Sequence, residues 1–263
     1  MSDIIKYVVV DRIATLTLNR PEVRNALSPE LIEALIKQFR AADSDPQVKC
    51  IVIQGEGEHF CGGGDVKVFG ETLTLSAEER FTLYERKLLV GSRLPNLLLE
   101  ASKPVVVKTR GAVAGAGLAL CLAADFVVSG ESSFFLAAHV HIGLSLDSGL
   151  SGLLVAAMGI KEAKRLTLLG ERIDTQEALR LGVISQAVPD TGLDAAVSKL
   201  AQRLAEGPAI AMAASKALLN HAAYRGFSEQ LAEEAVQVAR CAADKDFDSG
   251  IRAVLEHKRP TFD

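Results

Sequence analysis

Cys50-Ile51-Val52-Ile53-Gln54-Gly55-Glu56-Gly57-Glu58-His59-Phe60-Cys61-Gly62-Gly63-Gly64-Asp65 carries a short apolar, β-branched segment into a loop with three consecutive glycines. Its first four residues have the length and composition of a buried strand, and Gly55 and Gly57 mark the exit. The pattern then returns. Lys103-Pro104 introduces a second strand, Val105 to Val107, and Gly111-Ala112-Val113-Ala114-Gly115-Ala116-Gly117 reads as a second glycine-rich turn. That turn passes straight into Leu118 to Ala124, small apolar residues suited to a buried helix. Glycine loops after buried strands present backbone amides without side-chain obstruction, as an anionic oxygen requires, although tight packing turns look the same. Neither loop has the lysine or glycine spacing of a nucleotide-phosphate loop.

Working outward, Ile4 to Val10 and Ile13 to Leu18 read as adjacent strands joined by a tight turn at Asp11-Arg12. Ser28 can cap the helix that follows, with Pro29 at its first position and Glu30 against the positive dipole end. Leu31, Ile32, Leu35, Ile36 and Phe39 share one helical face, and Asp45-Pro46 ends the element. Thr72 to Glu100 is helical but charged. Phe126 to Val128 and Phe134 to Leu136 are short strand candidates, and Ile142 to Gly149 is a loop that should start another helix. After Thr175 the signals are nearly all helical, with only Val183 to Val188 extended. No linker composition or fixed-period repeat appears, so the chain reads as one continuous domain: a core over residues 1–190 and a helical extension over residues 191–263.

At 263 residues the chain can bury roughly three quarters of its unfolded surface. With 49% hydrophobic and 24% charged residues it is ordinary for a soluble globular protein. A formal net charge of −4 gives no global positive field, which argues against capture of nucleic acid or an anionic membrane and for a small-molecule partner. Four cysteines, Cys50, Cys61, Cys121 and Cys241, form no C-x-x-C pair, so a reducing, cytoplasmic setting is expected and no metal site is. Lys6 interrupts the amino-terminal apolar run, and the uncharged, His-free stretch Gly111 to Ala124 is too short to cross a bilayer; neither export nor anchoring is expected.

Asn19-Arg20-Pro21, Arg24-Asn25-Ala26-Leu27, Phe60 to Asp65, Gly111 to Gly117 with Asp125, and Lys258-Arg259-Pro260, taken in order, resemble the enoyl-CoA hydratase/isomerase, or crotonase, superfamily. The resemblance implies an α/β fold, a spiral of strand-strand-helix turns with a helical carboxy-terminal trimerisation region, and assembly as a homotrimer or hexamer. It implies an acyl-CoA substrate, with no cofactor beyond the coenzyme A that the substrate carries, and a place in fatty acid metabolism. By position in the motifs, the oxyanion-hole amides fall on Gly64 and Ala116. Arg24, Ala26, Gly62, Gly63, Asp65 and Lys258 would lie along the coenzyme A; for Arg24 and Lys258 a solvated surface charge is an equal reading.

The chain departs from the hydratase pattern. Hydratases of the family use two glutamates, and here Ala119 and His139 occupy the aligned positions. Ala119 cannot transfer a proton, which argues against water addition. One carboxylate remains: Asp147 resembles the aspartate that certain family isomerases and a chlorobenzoyl-CoA dehalogenase carry in that loop. A single carboxylate can take a proton from one carbon and return it two carbons along, so isomerisation is expected, with His139 as an auxiliary acid-base group. Asp147 could also cap the next helix, and His139 could simply pack. On a strand His139 and His141 would share a face, but no third metal ligand accompanies them. With 5% aromatics and no tryptophan, the chain looks poorly equipped for the ring-holding pocket a dehalogenase needs. Hydration and a catalytically reduced acyl-CoA-binding protein are the alternatives.

Overall fold

The computed structural model describes residues 4–91 and 93–262. Strands β1 (Ile5–Val10) and β2 (Ile13–Leu18) pair antiparallel across a two-residue turn, with Asp11 and Arg12 both left-handed (φ 48° and 65°). That backbone supplies the twist a two-residue hairpin needs. Helix α1 (Pro29–Ser44) starts where its signals place it: the Ser28 hydroxyl accepts from Leu31 N (3.3 Å), and Leu31, Leu35 and Phe39 are buried. Ile32 and Ile36 are only half-buried, so the core-facing stripe is narrower than the periodicity suggested.

Strands β3 (Cys50–Gly55), β4 (Val105–Thr109), β6 (Phe126–Gly130) and β9 (Gln186–Val188) extend the sheet in parallel, giving the order β1-β2-β3-β4-β6-β9. Alternation along these strands feeds two cores. Ile51, Ile53, Val105, Val107 and Val127 face the main core, which also takes α5 (Ala116–Ala123) and α6 (Leu150–Leu168). Cys50, Val52, Val106 and Val128 face α8 (Leu193–Ala205). The helix that directly follows the expected 190/191 division is therefore itself a layer on the sheet.

A second sheet, β5-β7-β8, gathers Ala112–Ala114, Phe134–Leu136 and Arg172–Asp174. Here the structure corrects the sequence reading, which took residues 111–117 as a turn and saw no strand at 172–174. Three-residue strands are too short to show a period, and pairing with a neighbour decides them. The two middle turns of the chain each give one strand to the large sheet (β4, β6), one to the small sheet (β5, β7) and then a helix (α5, α6), which is a spiral. Cys61 bridges Val113 in parallel, so the first glycine loop adds its own rung beside β5.

Helices α2 (Val66–Glu71), α3 (Ala77–Gly91) and α4 (Arg93–Glu100) join the first turn to the second, and α7 (Thr175–Arg180) joins β8 to β9. Helices α9 (Ala209–Ala223), α10 (Phe227–Ala242) and α11 (Lys245–Leu255) complete the chain. The last two turn back over the site: Val238, Ala239, Phe247 and Ile251 pack with Tyr84 of α3 and with Leu144 in a third core. No helix among the described residues is long and apolar enough to cross a membrane.

Candidate active site

The two glycine loops meet backbone to backbone. Cys61 N donates to Ala112 O (3.0 Å), and Ala114 N donates to Cys61 O (3.0 Å). Gly63 (φ 95°) and Gly115 (φ 49°) both lie in the left-handed half of backbone space. A Cβ on Gly63 would stand 3.0 Å from Ala114 O and 3.6 Å from Gly115 Cα, so the approach requires residues without side chains. The next residue of each loop is a candidate donor. Among the described residues neither the Gly64 amide nor the Ala116 amide has a hydrogen-bond acceptor. Ala116 opens α5, where the first amides of any helix lack an internal partner and point outward.

Side chains strap the loops. His59 Nδ1 accepts from Ala112 N (3.1 Å), tying the first loop to β5. Asn25, fully buried and left-handed (φ 54°), donates through Nδ2 to Glu56 O (3.0 Å) and His59 O (2.8 Å), while its Oδ1 accepts from Arg20 N (2.8 Å). Arg20 reaches Ala26 O (2.7 Å) and pairs with Asp65 (3.0 Å). Asp65 also caps α2 by accepting from Lys67 N (3.1 Å). Of the residues expected along coenzyme A, Ala26 and Asp65 are buried and engaged inside the protein, whereas Arg24 is exposed and its carbonyl accepts from Gly62 N (2.8 Å). Gly62 and Gly63 form the loop itself. Lys258 lies after α11, largely exposed and paired with Glu256 (2.7 Å). Burial pushes the Cys61 thiol up to about 12, so the cysteine inside the first loop remains protonated and is not a nucleophile.

The residues after β7 form a 3-10 helix, Ala138–Ile142, and not the strand on which His139 and His141 would share a face. Three residues per turn send the two rings apart. His141 Nε2 meets Gly170 O (2.9 Å), and His139 Nε2 meets Asp147 Oδ1 (3.0 Å). Among the described residues no cluster of three His, Cys, Asp or Glu could hold a metal.

Burial raises the Asp147 carboxyl, but the charge of His139 and the hydrogen bonds from His139 and Ser148 outweigh burial, leaving the group below the ordinary aspartate value. An ionised carboxylate only accepts, so Nε2 carries the proton of that bond. The other ring nitrogen, Nδ1, is buried without a partner among the described residues, as is Ser145 Oγ. Cε1 of the same ring lies 3.9 Å from where a Cβ on Gly115 would stand, so the His139–Asp147 pair borders the second loop. Asp147 does not cap α6 with its side chain: Gly149 is the cap residue.

The Phe69 ring covers the Cα side of Gly64, where a Cβ would fall 2.5 Å from Cζ. Phe69 meets Tyr84 and Phe247 at a tilt, with centroid distances of 6.0 and 6.5 Å, and Tyr84 meets Phe247 edge-on at 5.4 Å. These three rings, from α2, α3 and α11, belong to the third core, with Tyr84 3% and Phe247 0% exposed, so they pack the protein and do not make a ring-holding pocket. Burial pushes the Tyr84 phenol up to about 12, so it bonds Thr72 Oγ1 (3.3 Å) as a neutral group.

Sequence reading missed Glu234 of α10, which is 5% exposed and reaches back to Gly149 and Ser151. A signal exists: Phe227, Leu231, Glu234 and Val238 follow helical core spacing, and a carboxylate on that face demands buried partners. Ala119, where a hydratase would have its first glutamate, is fully buried in α5.

A family model described as Enoyl-CoA hydratase/isomerase matches residues 10–263. Among curated relatives, a trans-2-decenoyl-[acyl-carrier-protein] isomerase of Streptococcus mutans is 32% identical over 98% of this chain and 97% of its own length. A probable enoyl-CoA hydratase of Rhodobacter capsulatus is 33% identical, covering 98% and 97%. Among solved structures, an enoyl-CoA hydratase from Mycobacterium avium subsp. paratuberculosis superposes with a TM-score of 0.89 at 30% identity, over 99% of this chain and 98% of that one. Relatives carry both reaction names, so likeness alone leaves isomerisation and hydration open.

Proposed function

This chain belongs to the enoyl-CoA hydratase/isomerase family, and from that premise we propose that it shifts a double bond in an unsaturated acyl-CoA, with Asp147 as the proton carrier. The thioester oxygen sits between the Gly64 and Ala116 amides. Asp147 removes a proton from C2 of a 3-enoyl thioester, the electrons of the broken C–H bond form C2=C3, and the former C3=C4 pair collects the proton at C4. Charge that develops on oxygen in the dienolate meets donors already in place.

The observation that carries this reading is the 3.0 Å contact of His139 Nε2 with Asp147 Oδ1. It keeps one carboxylate ionised, and so free to accept a proton, in a largely buried setting. Ala119 offers no second acid-base group. No cofactor is required beyond the coenzyme A of the substrate, because the chain itself supplies the base and the oxyanion donors. Exposed Ile210, Leu218 and Leu219 on α9 (88%, 73% and 70%) support assembly as a homotrimer or hexamer, and four free cysteines support a cytoplasmic setting.

The test offers the protein a 3-enoyl-CoA and, separately, crotonyl-CoA. Conversion of the first to the 2-enoyl isomer with slow water addition to the second is expected. Brisk hydration of crotonyl-CoA would replace isomerisation with hydration as the function.

A further inference from the structure

Asp147 is followed by two residues in the left-handed region, Ser148 (φ 57°) and Gly149 (φ 79°). Serine carries a Cβ and gains nothing from that conformation, so the turn needs an external hold. The hold comes from α10, far along the chain. Glu234 Oε2 accepts from Gly149 N (2.7 Å), and Oε1 accepts from Ser151 N (2.9 Å) and the Ser151 hydroxyl. Gln230 Nε2 donates to the same hydroxyl (2.8 Å), and the Phe227 ring presses on Gly149 so closely that a Cβ there would stand 2.4 Å from Cζ. Each carboxylate oxygen thus grips one side of the first turn of α6. Among the described residues no Lys, Arg or His pairs with Glu234, although a buried carboxylate normally recruits one. Its charge is met by two amides and a hydroxyl.

We infer that Glu234 is a positioning residue: by gripping Gly149 and Ser151 it fixes the left-handed pair that aims Asp147 at His139. The inference rests on Asp147 as the proton carrier, and it makes α10, part of the helical extension, a component of the active site. Glu234 itself touches no reacting atom. Loss of the grip lets the turn relax, and a displacement near 1 Å can cost on the order of 100-fold in rate while thioester binding, made elsewhere, persists.

The experiment compares wild type, Glu234→Gln and the milder Ser151→Ala, which keeps both amide bonds, by steady-state kinetics and by the NMR signal of the His139 Nε2 proton. Wild type should show a downfield Nε2–H signal held by Asp147. Glu234→Gln presents an amide NH2 to one of the donors; it should lose or shift the signal and lower kcat roughly 10- to 100-fold, with KM within about threefold. Ser151→Ala should fall between the two, and it carries the comparison should Glu234→Gln not fold. Retention of both the signal and kcat in Glu234→Gln, or parallel changes in KM and melting temperature with the signal unmoved, overturns the inference. Should wild type hydrate instead of isomerise, the reading of the reaction fails, while the signal still decides the role of Glu234.

Discussion

His139 Nε2 stands 3.0 Å from Asp147 Oδ1, with the imidazole side chain 7% and the carboxylate 17% exposed. The contact joins a 3-10 helix to the left-handed turn before α6, so it closes the short loop between them across eight positions of chain. Asp147→Asn keeps the shape and removes the base. A general base supplies typically 10²- to 10⁴-fold, so kcat for 3-enoyl-CoA isomerisation should fall about 1,000-fold. Titration calorimetry with butyryl-CoA should show affinity within about threefold of wild type; a variant that retains activity assigns the proton transfer elsewhere.

The same contact sets a pH dependence. Asp147 works as a base only when ionised, and its folded value lies below the ordinary one, so the acid limb of kcat/KM that it contributes lies below the usual aspartate range. The stability linkage has the same sign: the contribution is complete above the unfolded aspartate value and is lost as pH falls through the lower folded value. In His139→Gln the imidazole that favours the ionised carboxylate is gone while burial remains, and burial raises a carboxyl. The acid limb should therefore move to higher pH. A pH–rate profile with the limb unmoved would show that His139 does not hold Asp147 ionised.

Much of this was legible in the residues, and the misses have common causes. Ser28, Pro29 and the 3.6-residue spacing of α1 are local signals, and they define that helix at both ends. The glycines of both loops were readable because only glycine suits Gly63 and Gly115, whose backbones touch. Strands β5 and β8 were not, because three residues hold no period and only cross-chain pairing makes them strands. The same applies to the 3-10 helix at His139, where an expected alternation turned into three residues per turn. Glu234 lies 87 positions from Asp147 in sequence, and a contact at that range leaves only the trace of a charge on an apolar face.

Ala116 permits a direct test of the oxyanion donors. It occupies the first position of α5, where proline is tolerated because no internal hydrogen bond is lost. Gly115 ahead of it has ψ −123°, the mirror of the extended geometry a residue before proline needs, and glycine adopts either hand. Ala116→Pro should therefore fold with a near-native melting temperature while removing one N–H. One donor is worth about 3 kcal/mol in the transition state, so kcat should fall 100- to 1,000-fold. Full activity in this variant would remove Ala116 from the oxyanion hole.

Asp65 and Arg24 both fall among the residues expected along coenzyme A, but their surroundings predict opposite phenotypes. Asp65 pairs with Arg20 at 3.0 Å, the side chains being 8% and 21% exposed, and it caps α2 as well. Asp65→Asn keeps a capping oxygen but leaves a largely buried guanidinium without its counter-charge, which should cost about 2 kcal/mol after allowing for the partial exposure of Arg20. Denaturant unfolding should register that loss while KM stays within about twofold. Arg24 is exposed and makes no ion pair among the described residues, so its guanidinium remains available to a phosphate. Arg24→Gln should leave unfolding unchanged and raise KM for the coenzyme A thioester about three- to tenfold at low salt, with kcat constant. That difference should shrink as ionic strength rises, because an exposed charge pair is screened within a Debye length of about 10 Å at 0.1 M salt. If Asp65→Asn raises KM without loss of stability, or Arg24→Gln lowers stability with KM unmoved, the division between the internal and the ligand-facing members of this loop must be redrawn.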